Sequence, residues 1–177
     1  MESNFKKVII NSLLLAIGFI LHQIAPPLLF GMKPDFSLAM MFIVILLNDD
    51  YKSTLVSGII CGILSALTTT FPGGQPANLI DKIVTSHIIY LMLIPIRNRF
   101  NNQIKIIFIT AIGTMVSGLV FLYSASILVG LPKSLSVLFV AVVLPATAAN
   151  TIAAPILYNT IKLSLVKSRV KVFKNQY

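Results

Sequence analysis

The chain reads as an all-α integral membrane protein with six transmembrane helices, on three observations. Hydrophobic residues make up 56% of its 177 residues and charged residues 11%, with a mean hydropathy of +0.92. A soluble domain of ordinary composition is nearer 45–50% apolar and about 25% charged. The apolar residues also fall into six runs that lack the two-residue alternation of a barrel strand. In lipid such runs must satisfy their own backbone polar groups, which only helices and closed barrels do.

Taken in order, the expected helices cover about 8–25, 35–49, 52–71, 78–96, 104–131 and 134–165, with a basic tail over 166–177, all in one transmembrane domain. The first stops at Pro26-Pro27 and has no small-residue cleavage site, so it is expected to stay in the mature chain. The second is short, because its continuous apolar part is only the 12 residues 36–47, against about 20 for a hydrocarbon core of roughly 30 Å. It is expected to borrow flanking residues or to cross where the protein is thin. The third and fourth are separated by Pro72, Gly73, Gly74 and Pro76, which forbid a continuous helix. Asn78 then reads as the cap of the fourth helix, with Asp81 in its first turn. The sixth contains Pro145, Asn150 and Pro155 and is expected to bend or break.

Orientation follows from lysine and arginine. With the N-terminus in the cytoplasm, 11 of the 14 basic residues fall inside, and Lys33, Lys82 and Lys133 fall outside. Both termini are therefore expected to be cytoplasmic. The formal charge of +9 then needs no nucleic acid, because a basic tail beside a bilayer is drawn to anionic lipid. Cys61 lies in an apolar run and reads as a packing residue. Small residues four apart, Gly58, Gly62 and Ala66, Ser12 and Ala16, and Thr114 and Gly118, are read as helix-packing rows.

This topology gathers the rare polar groups near the outer interface: Lys33, Asp35, Thr68 to Thr70, Gln75, Asn78, Asp81 and Lys82. Ionisable residues at membrane depth are costly and mark functional sites by default. Capping competes as a role for Asp35 and Asp81, and snorkelling for the two lysines. Asn150, in mid-helix between prolines, needs a partner that a substrate or another helix can supply. His22 and His87 lack further ligands at metal-site spacing, so no metal or other cofactor is expected. There is no hydrolase triad signature, no HExxH and no GxxxxGK[ST] phosphate loop. The chain is therefore not expected to be an enzyme, and concentrative transport would need partner subunits or a coupled ion. With no inverted repeat, ion coupling ranks second. A non-transporting scaffold is the further alternative, but it would not need the outer polar group.

Gly31-Met-Lys-Pro-Asp35, Phe71-Pro-Gly-Gly-Gln75 with Asn78-Leu-Ile-Asp-Lys82, Val129-Gly-Leu-Pro132, and Val142-Val-Leu-Pro-Ala146 with Asn150-Thr151 together resemble the bacterial tryptophan-transporter family. The resemblance covers nearly the whole chain in matching order. It implies an S-component of an energy-coupling factor (ECF) transporter. Such a subunit has a six-helix bundle, captures L-tryptophan outside, and docks on a transmembrane T-component driven by two cytoplasmic ATPase subunits. The small-residue docking face implied for the first helix reduces here to Ser12 and Ala16, followed by Ile20.

A zwitterionic aromatic amino acid presents an ammonium, a carboxylate and a flat ring with one N–H. Asp81, with Asp35 second, is expected to meet the ammonium. Lys33, Lys82 or the helix start near Asn78 is expected to meet the carboxylate. Phe36 and Phe71 are candidates to stack on the ring, and Gln75 or Asn150 to accept from its N–H.

Overall fold

The computed structural model describes residues 2–26, 33–168 and 173. All regular structure among them is helical: α1 (Glu2–Ile24), α2 (Phe36–Leu47), α3 (Tyr51–Thr68), α4 (Gln75–Ile96), α5 (Asn102–Leu128), a short α6 (Leu135–Leu138), a π-helical turn (Phe139–Val143) and α7 (Leu144–Lys167). Side-chain pairs show that neighbours in sequence run antiparallel. His22 in α1 meets Pro34 ahead of α2, while Asn11 pairs with Asn48 behind it. Gly58 of α3 abuts Ser86 of α4, Ser117 of α5 reaches Asp81 and Lys105 reaches Arg97. Asn150 of α7 bonds Thr114, and Asn159 pairs with Gln103. The connections after α1, α3 and α5 therefore share one end of the bundle, and those after α2 and α4 share the other.

Five segments are long and apolar enough to cross a membrane: α1, α3, α4, α5 and the continuous stretch from α6 to α7. The exception is α2, whose 12 residues span about 18 Å at 1.5 Å per residue. Its burial explains how it persists, since every residue from Ser37 to Leu47 is buried. It is ringed by α1, α3, α4, α5 and α7. A helix that touches no lipid needs neither an amphipathic face nor the full membrane thickness.

Its ends satisfy their polar groups within the protein, as a helix buried in a bilayer must. Asp35 caps the start by accepting from Leu38 N–H at 3.2 Å, and its own carbonyl accepts from Asn150 Nδ2. At the other end Asn48 Nδ2 donates to the Val44 carbonyl at 2.6 Å, and Arg97 Nη1 donates to the Asn48 carbonyl at 3.0 Å. Asp50 caps α3 by accepting from Ser53 N–H and also pairs with Lys7. Partial burial raises the Asp50 carboxyl, but these bonds outweigh it and hold the group down at about 2.

The helix boundaries differ from expectation where turn chemistry intervenes. Residues 2–7 continue α1 on its N-terminal side. Thr69, Thr70 and Phe71 leave α3, with Thr69 extended and its hydroxyl accepting from Phe71 N–H. The capping role read for Asn78 and Asp81 is overturned. Gly74 occupies the cap position of α4, with Pro76 in the first turn, where a missing N–H costs nothing. Asn78 Nδ2 instead donates back to the Gly74 carbonyl, and Asp81 lies a turn deeper. α5 runs Asn102–Leu128, not 104–131, because Asn101 caps it through Ile104 N–H and Val129 turns out of it.

The last span is interrupted as expected, by a widened turn over Phe139–Val143. The ring of Pro145 would clash with the carbonyl of residue 141 in a regular α-helix, and the wider turn relieves this. Of the expected tail over 166–177, Val166 and Lys167 finish α7, Ser168 caps it, and Phe173 is buried against the core. The remainder lies outside the described residues, as do Gly31 and Met32 of the motif ending in Asp35.

Gly113 shows how closely α5 approaches the centre. A Cβ there would lie 2.6 Å from Phe42 Cζ and 2.7 Å from Ile89 Cδ1. Gly113→Ala is expected to lower stability by about 1–3 kcal/mol through overpacking, read as a lower midpoint in a thermal unfolding scan of the purified protein.

Candidate substrate site

The end where the first, third and fifth connections meet opens into a cavity of about 730 Å³, counting its mouth. The cavity has a charged side and an apolar side. Lys82 anchors the charged side: its Nζ lies 2.8 Å from Asp35 Oδ2 and also pairs with Asp81 Oδ2. Two carboxylates against one ammonium leave a formal charge of −1.

The two acids are held differently. Asp81, with 1% of its side chain exposed, accepts from Thr85 Oγ1 at 2.9 Å on Oδ1 and from Ser117 Oγ at 2.8 Å on Oδ2. Asp35, 17% exposed, accepts from Ser37 Oγ and Leu38 N–H on Oδ1, and Ser65 Oγ lies 3.5 Å from Oδ2. His22 lies beside it, with Nδ1 3.7 Å from Asp35 Oδ1 and 3.1 Å from the Pro34 carbonyl. A carbonyl only accepts, so that nitrogen carries the proton. Lys33 stands at the rim, donating to the Gln23 carbonyl at 3.2 Å.

The apolar side is aromatic and branched. Phe71 and Phe121 meet edge to face, with ring centroids 5.6 Å apart, and Leu122, Val142, Val143 and Ala146 complete the wall. The last three lie on or beside the π-helical turn, so the widening that accommodates Pro145 also shapes this wall. Between the two sides is Asn150, fully buried. Its Nδ2 donates to the Asp35 carbonyl at 3.2 Å and approaches Thr114 Oγ1 at 3.4 Å. Its Oδ1 has no hydrogen-bond partner among the described residues. A buried acceptor left unpaired costs about 1–3 kcal/mol, which a donor entering the cavity would offset.

A family model described as "Tryptophan transporter TrpP" matches residues 4–166. The chain belongs to this family. It is 54% identical to a "Probable tryptophan transport protein" of Clostridium acetobutylicum, over 93% of this chain and 96% of that relative. Proteins given the same name in Clostridium perfringens and Bacillus subtilis are each 46% identical, over 93% and 92% of this chain and 95% and 94% of theirs. No solved structure matches the chain. Family membership and the apolar helices make this a multi-pass protein of the bacterial cell membrane.

Of the residues singled out from sequence, Lys33, Asp35, Phe71, Asn78, Asp81, Lys82 and Asn150 line this one cavity. Phe36 and Gln75 are not among its lining residues. Gln75 is exposed in the first turn of α4, and Phe36 is half-buried at the start of α2. Sequence reasoning missed His22, Ser65, Ser117, Phe121, Leu122, Val142, Val143 and Ala146 as lining groups. It took Thr114 and Gly118 only for packing, yet both border the cavity. The signal available was the concentration of Ser and Thr on one half of several apolar helices, where hydroxyls are otherwise unneeded. His22 was weighed only as a metal ligand, whereas the structure places it beside Asp35.

Lys82 is the counter-ion of buried Asp81 and part-buried Asp35, so Lys82→Met leaves both uncompensated. It is expected to cost about 3–5 kcal/mol, seen as a lowered melting temperature. The triple variant Lys82→Met, Asp35→Asn, Asp81→Asn should recover much of that loss in the same scan, because no buried charge is then stranded.

Proposed function

We propose that the chain is the tryptophan-capturing S-component of an ECF importer, with six spans, both termini in the cytoplasm and the cavity opening outward. The observation that carries the proposal is the pairing of a charged cluster, Asp35, Asp81 and Lys82, with an aromatic wall in one cavity of a tryptophan-transporter family member. The 11-to-3 distribution of basic residues supports the orientation. The relatives' printed names support the substrate. A chain of 19.3 kDa without a phosphate-loop motif needs a partner to use ATP. The T-component and the two cytoplasmic ATPase subunits fill that role, and the chain itself performs no catalysis.

Within the cavity, Asp35 is the better choice for the ammonium, ahead of Asp81. Asp81 is almost fully enclosed, whereas Asp35 stands more open beside the mouth. Lys33 receives the carboxylate at the rim. Lys82 is not free to do so, since it is held between the two acids. The indole ring lies against Phe71 and Phe121, and its N–H donates to Asn150 Oδ1. Phe36 and Gln75 have no role in this arrangement.

Two measurements test the proposal. In equilibrium binding of radiolabelled tryptophan to the purified chain, Asp35→Asn is expected to weaken affinity by about ten- to hundredfold. That matches the roughly 1.5–3 kcal/mol of a hydrogen bond to a charged group. An unchanged Kd in a folded Asp35→Asn protein would return the ammonium to Asp81. In proteoliposomes containing the chain alone, no ATP-driven accumulation of tryptophan is expected. Uphill accumulation driven by a sodium or proton gradient would instead make the protein an ion-coupled transporter.

A further inference from the structure

At the end of the bundle opposite the substrate cavity, a second cavity of about 750 Å³, counting its mouth, lies between the α4–α5 connection and α7. Arg97, Lys105 and Lys162 line it, and no carboxylate does among the described residues. The Arg97 guanidinium is only partly used. Nη1 donates to the Asn48 carbonyl and to Asp49, while Nη2 is buried with no hydrogen-bond partner among the described residues. Lys105 is buried, and its Nζ donates to the Arg97 carbonyl at 2.7 Å. That bond turns a cation toward Arg97 without neutralising it. α5 also begins here, with Asn102 and Gln103 as its first residues at the positive end of the helix dipole. One buried and two part-buried cations that line one cavity, with Asp49 the one acid paired to them among the described residues, favour an anionic occupant.

The surroundings distinguish a lipid from a soluble anion. Phe100 lines the cavity and is exposed, exposed Ile104, Ile107 and Phe108 follow on α5, and α7 exposes Ile156 and Leu163. A free phosphate has no use for this apolar surface, whereas acyl chains lie along it. We propose that this cavity binds the phosphate of an anionic phospholipid, held by Arg97, Lys105 and Lys162, with its acyl chains against the neighbouring apolar faces of α5 and α7. The proposal does not depend on which amino acid the other end takes.

The test uses the purified full chain with phosphatidylglycerol and phosphatidylcholine of identical acyl composition, with bound lipid counted by native mass spectrometry. Phosphatidylglycerol is expected to bind preferentially. Lys162→Gln should weaken it about fivefold, and Lys105→Gln with Lys162→Gln about 25-fold, at roughly fivefold per cation removed. The thermal unfolding midpoint of each purified variant reports whether it is folded. The single variant at half-buried Lys162 keeps the test valid if the double one does not fold. Equal retention of the two lipids, or unchanged phosphatidylglycerol binding in folded Lys162→Gln, would overturn the proposal. Displacement of the lipid by soluble glycerol phosphate at equal concentration would also overturn it, by making a free phosphate the ligand.

Discussion

Everything around the substrate cavity depends on keeping one ammonium, that of Lys82, charged at a depth where water is scarce. An isolated charge there is prohibitively costly, and pairing is the available remedy. Lys82 meets two carboxylates, and each of those draws in other elements. Through Asp35 the lysine on α4 is tied to the start of α2, to Ser65 on α3 and to His22 on α1. Through Asp81 it is tied to Ser117 on α5. Asn150 completes the ring from α7 by donating to the Asp35 carbonyl. A single electrostatic requirement therefore sets how five helices and the start of α2 converge at one end. The cavity is the space left where those polar side chains and the apolar wall do not meet.

The bilayer imposes a second constraint, on α2. A helix too short to cross lipid is stable here because the other helices replace the lipid around it. The terminal carbonyls and amides are then satisfied by Asp35, Asn48, Arg97 and Asn150 instead of by water. Close approach makes this enclosure possible. Gly113 lets α5 press on Phe42 of α2, and the Gly18 backbone lies against Met40. The same residue types that a soluble protein uses in turns serve here as contact surfaces between helices.

The helical class and the rough positions of the runs were legible because hydropathy and the near-absence of charge carry that information residue by residue. The polar cluster was legible for the same reason, since each ionisable group in an apolar sequence stands out. Arrangement was not legible. Nothing in the second run says that it is central, because a helix buried by protein and one buried by lipid are equally apolar. Asn78 and Asp81 looked like a cap because the local pattern fits one. Pro76 and Gly74 upstream started α4 earlier and carried both residues inward. Thr114 was read only for packing, because small residues serve close packing and hydroxyls serve a polar site, and only tertiary placement separates the two. The wall at Val142, Val143 and Ala146 arises from the widened turn before Pro145, a backbone feature that hydropathy does not encode.

The charge balance of the cavity bears on selectivity under the proposed reading. With Lys82 shared between two acids, the cluster retains one formal negative charge, and Lys33 stands apart at the rim. A ligand with only an aromatic ring satisfies neither, and one with only an amine leaves the rim lysine to water. A zwitterion meets both charges. The apolar wall then has only to distinguish ring sizes, a difference worth a few kcal/mol at most, whereas a polar group left unpaired discriminates far more strongly. Asn150 Oδ1 extends that logic to the ring, because a phenyl side chain would leave the orphaned acceptor unpaired where an indole N–H would not. On the proposed reading, discrimination of indole from phenyl falls to one buried amide, whose orientation is in turn set by its bond to the Asp35 carbonyl, so the group proposed to read the ring is held by the residue proposed to read the ammonium.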